Sequence, residues 1–146
     1  LRDRFEFPGM KILQFAFGAG PGDPFLPFNY DRNCVVYTGT HDNDTTVGWF
    51  NQLQHYERDE VYRYLGCIDP QGIHWSLIRM GWSSIANLAV VPFQDLLGLG
   101  TDARMNFPGK AEGNWGWRYR AEALNWDMRD RLKTITYICG RAPNKN

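Results

Sequence analysis

A dense polar cluster, THDND at residues 40–44, interrupts the otherwise apolar stretch VVYTGTHDNDTTVGWF at residues 35–50. Asp42 and Asp44 are two residues apart, and His41 precedes the first of them. A carboxylate beside an imidazole can stabilise developing positive charge or accept hydrogen bonds from sugar hydroxyls. The cluster therefore predicts a site for a polar ligand at the end of an apolar segment.

Two other interpretations of this cluster remain open from the residues alone. Imidazole and carboxylate groups also bind metals, although adjacent residues converge on one ion with difficulty and no partner His pair occurs at helical spacing. Alternatively, Asn43 or Asp44 caps a helix that begins in TTVGWF.

A second stretch, MNFPGKAEGNWGWRYR at residues 105–120, alternates Trp115, Trp117 and Tyr119. Alternation of this kind would place three aromatic rings on one face of an extended segment. Hydrogen-bond donors lie among them: Asn106, Asn114 and Arg118. Aromatic planes beside amide donors suit a polyhydroxylated ligand, but burial of large aromatic side chains against the core would explain the same pattern.

Three short apolar runs predict parallel strands that are buried on both faces: MKILQFAF (10–17), CVVYTG (34–39) and NLAVVPF (87–93). Pro92 then has to lie at a strand end. In parallel α/β folds ligands bind at the carboxyl ends of the strands, where the polar cluster is found. Gln94 and Asp95 follow the third strand and either face that site or satisfy the backbone of LLGLG.

Helices are predicted in three stretches. Residues 57–66 contain strong helix formers and stop at Gly66, and residues 69–82 begin with Asp69 as N-cap and Pro70 as first helical residue. Residues 124–141 favour a helix over a strand, because their apolar residues have helical spacing. His55 and His74 lie within helical stretches and are interpreted as ordinary structural residues, while the Gly- and Pro-rich residues 18–33 predict an ordered loop.

Composition narrows the class of protein. The 146 residues suit one domain, and the net charge of zero gives no reason to expect nucleic acid or an anionic membrane as partner. Cys34, Cys67 and Cys139 have no CxxC spacing, which favours free thiols in a reducing, cytoplasmic setting. No apolar run approaches the roughly 20 residues that span a bilayer.

Six motifs occur in this order along the chain: FPGMKILQFAF, PFLPFNY, YTGTHDNDTTVGW, VVPFQDLLGLG, ARMNFPG and GNWGWR. Together they closely resemble the C-terminal part of the amylomaltases, the 4-α-glucanotransferases of glycoside hydrolase family 77. The resemblance runs from about residue 7 to about residue 141. Each motif alone is weak, whereas all six in order are specific.

The resemblance implies an α/β fold, namely the C-terminal part of a (β/α)8 TIM barrel of the α-amylase superfamily, with about three strands and their connecting helices. Residues 1–146 would form the C-terminal portion of a single catalytic domain. The resemblance also implies transfer of α-1,4-glucan segments between maltooligosaccharides with retention of configuration. Asp42 matches the family's transition-state-stabilising carboxylate, and His41 matches the neighbouring histidine that hydrogen-bonds the sugar. Asn106, Asn114 and Trp115 lie in motifs close to the site and are candidate substrate-binding residues.

The family's nucleophile and its acid/base would lie upstream of Leu1, so the resemblance implies that this chain alone is inactive. No cofactor and no metal are expected, and the expected partners are maltooligosaccharides and α-1,4-glucans, with no nucleic acid and no membrane. The alternative function is a non-catalytic carbohydrate-binding module that uses the Trp-rich stretch.

Overall fold

The structure, a computed structural model, describes residues 2–143, except for the side chain of Asp3. Its centre is a parallel sheet in the order β1-β2-β3, formed by Gly9–Ile12, Cys34–Tyr37 and Leu88–Val90. Met10 pairs with Val35, which pairs in turn with Leu88. This arrangement confirms the three predicted parallel strands.

The first strand is shorter than predicted. A 3₁₀ turn, Leu13–Phe15, follows Ile12 directly, so the prediction of a strand through residue 17 was wrong. The turn lets the buried Gln14 donate its backbone N–H to the carbonyl of Thr38 at 3.2 Å and its side-chain amide to the carbonyl of Asp44 at 2.9 Å. A continuous apolar pattern carries no trace of such distant hydrogen-bond partners.

The two faces of the sheet are covered unequally. On one face, Cys34 and Val36 are each 1% exposed, and Gly81 lies close to Val36. On the other face, Met10 and Leu88 are each 58% exposed. The expectation of strands covered on both faces was therefore wrong for residues 2–143, because the helices of this chain pack on one side only.

Residues 2–143 contain five α-helices: α1 Thr46–Gln52, α2 His55–Leu65, α3 Ile73–Trp82, α4 Phe93–Leu96 and α5 Trp126–Ile138. Helix α2 ends at Gly66 as predicted, where a left-handed φ of 72° favours glycine. It begins earlier than predicted, because Gln54 and Glu57 form a reciprocal capping box.

The N-cap predicted for the helical stretch at residues 69–82 was wrong. Helix α3 begins after Gly72, and Asp69 precedes it in a turn where its carboxylate accepts the N–H of Gln71 at 2.9 Å. The second carboxylate oxygen of Asp69 pairs with Arg131 on α5. Asp69 thus joins the loop before α3 to α5.

Two apolar clusters form the core. The larger lies between the sheet and α3 and includes Leu13, Val36 and Leu77. The smaller joins α3 to α5 through Trp75, Trp82 and Ile135, which confirms a helix rather than a strand near the end of the chain. Within residues 2–143, no helix combines the length and the apolar character needed to cross a membrane.

Candidate active site

The polar cluster lies in a cleft at the carboxyl ends of the three strands, as predicted. The cleft has a volume of about 780 Å³ and is lined by residues that follow each strand and by part of the 105–115 segment. Its lining includes Phe15, His41, Asp42, Asp95 and Trp115. The exposed face of the sheet forms its floor through Met10, Ile12, Tyr37 and Val90.

His41 and Asp42 lie together on the loop between β2 and α1, with side chains 56% and 52% exposed. The Nε2 atom of His41 lies 3.3 Å from Oδ1 of Asp42, and the amide of Asn106 donates to the same Oδ1 at 2.6 Å. Within residues 2–143, no hydrogen-bond donor reaches Oδ2 of Asp42. That oxygen is therefore free to accept hydrogen bonds from a bound hydroxyl compound.

Arg104 supports the contact between Asp42 and Asn106 by binding the backbone of both residues. Its guanidinium donates to the carbonyl of Asp42 at 2.7 Å and to the carbonyl of Asn106 at 2.8 Å. It also lies over the ring of Phe107, at 4.6 Å from the ring centre. The arginine thus fixes two backbone segments that are distant in sequence, a role that we did not predict from the sequence.

Asn114 holds its own loop in the structure. Its side-chain oxygen accepts the N–H of Phe107 at 2.8 Å, and its amide donates to the carbonyl of Lys110 at 2.9 Å. A direct contact between Asn114 and a substrate stays a prediction, while its contribution to the shape of the loop is visible.

Trp115 lies beside the histidine of the cluster. Its ring centre is 5.2 Å from that of His41, and its side chain is 53% exposed. The backbone at Trp115 has a left-handed φ of 63°, so the segment is not extended there and the three alternating aromatics do not share one face. Trp117 and Tyr119 instead pack near each other, and Tyr119 packs on Phe93.

The N-cap of α1 is Thr45, whose hydroxyl accepts the N–H of Gly48 at 3.1 Å. The alternative that Asn43 or Asp44 caps this helix was therefore wrong. Asn43 folds back to accept the N–H of Thr40 at 2.9 Å, and Asp44 accepts hydrogen bonds from several donors around the start of α1: the N–H of Thr45, the amide of Gln52 and the hydroxyl of Thr101.

Gln94 and Asp95 both line the cleft but do not use their side chains on the backbone of LLGLG. The amide of Gln94 donates to the carbonyl of Ala103 at 3.2 Å. Asp95 is 1% exposed and accepts hydrogen bonds from Thr38 and Thr46. Burial raises the pKa of the Asp95 carboxyl, and the hydrogen bonds from Thr38 and Thr46 act in the opposite direction.

The carboxylates of the cleft therefore differ in availability. Asp44 and Asp95 are 9% and 1% exposed and are hydrogen-bonded within the protein, whereas Asp42 is about half exposed. No group of three or more His, Cys, Asp or Glu side chains in the part of the chain that the structure describes could hold a metal ion. His55 and His74 lie outside the cleft lining, on α2 and α3.

Sequence reasoning missed the structural roles of Arg104, Asp95 and Asp44. Two of these residues, Arg104 and Asp95, lie in the motifs ARMNFPG and VVPFQDLLGLG, so the motifs did indicate that these segments contribute to the site. Neither motif discloses a partner that lies in a distant part of the chain.

Comparison with known proteins shows the family of this chain. The sequence profile of the 4-alpha-glucanotransferase family, glycoside hydrolase family 77, matches residues 1–124. The 4-alpha-glucanotransferase of Synechocystis sp. is 59% identical over 97% of this chain and 28% of its own length. A chloroplastic/amyloplastic 4-alpha-glucanotransferase of Solanum tuberosum is 51% identical over 97% of this chain and 25% of its own length.

A solved structure supports the fold. Amylomaltase from Streptococcus agalactiae, in complex with acarbose, superimposes with a TM-score of 0.92 at 34% identity and covers 97% of this chain and 29% of that one. The match is consistent with part of a (β/α)8 barrel. The chain thus spans less than a third of its relatives' length, and it belongs to the 4-alpha-glucanotransferase family, glycoside hydrolase family 77.

Proposed function

We propose that this chain forms the C-terminal portion of the catalytic barrel of a 4-α-glucanotransferase, with Asp42 as the transition-state-stabilising carboxylate. The observation that carries the proposal is the free Oδ2 of Asp42, next to His41 and Asn106, in a cleft at the strand ends. Family membership supports the reaction class, transfer of α-1,4-glucan segments between maltooligosaccharides.

In a retaining transfer, a carboxylate nucleophile bonds to the anomeric carbon while a carboxylic acid protonates the departing glycosidic oxygen. A hydroxyl of the acceptor sugar then displaces the nucleophile, and the conjugate base of that acid removes the proton from the hydroxyl. Asp42 accepts hydrogen bonds from hydroxyls of the distorted ring and stabilises its positive charge in both steps. Among the described residues, the other cleft carboxylates, Asp44 and Asp95, are buried and already hydrogen-bonded.

The nucleophile and the acid/base are accordingly assigned to the part of family proteins that this chain does not span, and we expect the chain alone to be inactive. Trp115 and Asn106 supply an aromatic plane and an amide near Asp42, which suits a sugar ring. Exclusion of water by a bound acceptor sugar favours transfer over hydrolysis.

Substrates of this class include maltooligosaccharides and the α-1,4-glucan chains of starch and glycogen. The amylomaltase structure of similar fold contains acarbose, an oligosaccharide analogue, which agrees with this class of ligand. The sparse, free cysteines favour a reducing compartment such as the cytoplasm. The Solanum tuberosum relative is named as chloroplastic/amyloplastic, so the compartment differs among relatives.

The test uses a full-length chimera in which this chain replaces the matching segment of the Synechocystis relative. The chimera is expected to disproportionate maltotriose, and Asp42→Asn is expected to lower kcat by about 100-fold or more. A chimera that folds but transfers no glucan, or an Asp42→Asn variant with near-normal turnover, would contradict the proposal.

A matched control is available in the same chain. His55 and Asp59 form a second His–Asp pair on α2, with Nδ1 and Oδ2 3.2 Å apart and away from the cleft. Asp59→Asn makes the same chemical change and is expected to leave kcat unchanged.

A further inference from the structure

The loop at residues 39–45 carries the exposed His41 and Asp42 between two buried threonines. Thr38 directly follows β2 and is 2% exposed, and Thr46 begins α1 and is 0% exposed. A loop of this kind keeps its side chains in one place only if both of its ends are fixed.

A single carboxylate holds both ends. Asp95, on α4, accepts the hydroxyl of Thr38 at 2.6 Å, the N–H of Thr46 at 2.7 Å and the hydroxyl of Thr46 at 2.7 Å. These partners are 57 and 49 residues away in the chain. With 1% exposure, Asp95 exchanges none of these donors for water.

We propose that Asp95 is a positioning residue for the transfer reaction, which fixes the loop so that Asp42 meets the sugar in one orientation. The proposal rests on the function proposed for Asp42. Asp95 does not touch the reacting atoms in this scheme; it acts through Thr38, Thr46 and the loop between them. A displacement of about 1 Å in a reacting group can lower a rate by about 100-fold.

The chemistry of the contact requires a carboxylate. Both threonine hydroxyls donate to Oδ2 of Asp95, and the N–H of Thr46 donates to Oδ1. An asparagine of the same shape can accept the N–H, but its amide then faces the two hydroxyls as a donor. Both hydroxyls would have to rotate to accept, so Asp95→Asn weakens the fastening without opening a cavity.

A buried carboxylate is costly for a fold, and burial raises the pKa of Asp95. An apolar side chain of similar volume in place of Asp95 would cost the fold less stability. A carboxyl group buried between the two ends of this loop is what a demand for geometry, rather than for stability, would produce.

Two measurements test the proposal. In the 146-residue chain, hydrogen exchange followed by mass spectrometry is expected to show faster exchange of the amides at 39–46 in Asp95→Asn. The exchange rates of the amides in α2, α3 and α5 are expected to stay unchanged. In the full-length chimera, Asp95→Asn is expected to lower kcat about 10- to 100-fold, while KM changes by less than about twofold.

The matched control is Asp23→Asn. Asp23 is 2% exposed and also accepts backbone N–H groups, from Ala19 at 3.3 Å and Phe25 at 2.8 Å, but it does not line the cleft. We expect this variant to lower the Tm and to leave kcat unchanged. Thr38→Val removes one hydroxyl donor from Asp95 and should lower kcat by an intermediate factor.

The proposal is overturned if Asp95→Asn leaves exchange at 39–46 unchanged, or if it lowers kcat no more than Asp23→Asn does. Failure of the proposed function has a different signature, because either the chimera with the unaltered chain would be inactive or its Asp42→Asn variant would keep near-normal turnover. In that case the exchange measurement still decides whether Asp95 holds the two ends of the loop.

Discussion

The loop at residues 39–45 and the segment at residues 105–119 both contribute to the cleft, but they are held in different ways. The loop is fastened by the buried carboxylates of Asp95 and Asp44. The segment is held through the amide of Asn114, and Trp115 on it is half exposed.

This difference matches the work that each part is proposed to do. A group that stabilises developing charge must remain at a fixed distance from the reacting carbon, because electrostatic stabilisation depends on geometry. An aromatic plane that contacts a sugar ring tolerates small adjustments, because apolar contact is weakly directional. We therefore expect the loop, which is held by buried carboxylates, to stabilise the charge, and the segment at residues 105–119 to contact the sugar ring.

The largest expected effect on stability is at Asp44. Asp44→Ala removes the acceptor for the N–H of Thr45 at 2.7 Å, the amide of Gln52 at 2.7 Å and the hydroxyl of Thr101 at 2.8 Å. We expect the free energy of unfolding of the chain, measured in urea, to fall by about 2–3 kcal/mol. Asp42→Ala removes a half-exposed carboxylate nearby and should change it by less than about 0.5 kcal/mol. Similar losses for the two variants would show that the loop is not held as described.

Glycines offer a second comparison, between helix α1, which follows the loop, and the segment at residues 105–119. A Cβ at Gly48 would lie 2.4 Å from Oγ1 of Thr101 and 2.6 Å from Oδ1 of Asp44, whereas a Cβ at Gly116 would meet nothing within 4 Å. We expect Gly48→Ala to destabilise the chain by about 1–2 kcal/mol and Gly116→Ala to change its stability by about 0.5 kcal/mol or less. Thermal melts of both variants are the measurement, and equal melting temperatures would contradict the comparison.

Trp115 provides a test of the segment at residues 105–119. Its side chain is 53% exposed, so Trp115→Ala is expected to change the stability by less than about 0.5 kcal/mol. Loss of the aromatic contact should raise the KM of the chimera for maltotriose about fivefold, with kcat nearly unchanged. Trp126→Ala is the control, since Trp126 is 70% exposed on α5 and does not line the cleft. A fall in kcat with unchanged KM would contradict the expected role of Trp115 in substrate binding.

The smallest expected effect lies outside both regions, at His74. Burial lowers the pKa of His74 from the ordinary 6.5, helped by Arg131 and opposed by Asp69. Between its folded pKa and 6.5 the unfolded chain binds more protons, so His74 stabilises the fold fully above 6.5 and loses that contribution as the pH falls through this window.

Urea unfolding at about pH 8 and about pH 5 should therefore show a smaller loss of stability on acidification for His74→Gln than for the unaltered chain. His55→Gln removes an imidazole whose side chain is 92% exposed and should not change the pH dependence. If His74→Gln kept the pH dependence of the unaltered chain, His74 would not be a source of the loss of stability on acidification.

Much of the fold could be predicted from local patterns. The stop at Gly66, the helix at the end of the chain and the three parallel strands follow from turn chemistry and apolar periodicity. Three of the errors share one cause. The strand that was predicted through residue 17 and the caps assigned to Asp69 and Asp44 were all changed by side chains that bond to distant partners.

The sequence by itself determined the polar cluster at His41 and Asp42, the strand that precedes it and the family, because each is encoded in short runs of contiguous residues. Only the tertiary structure decided that Asn106 meets Asp42, that Arg104 supports them, and that Asp95 holds both ends of the loop. A hydrogen bond between residues 49 or more apart leaves no periodic trace in a sequence, since its geometry exists only once the sheet and helices have packed.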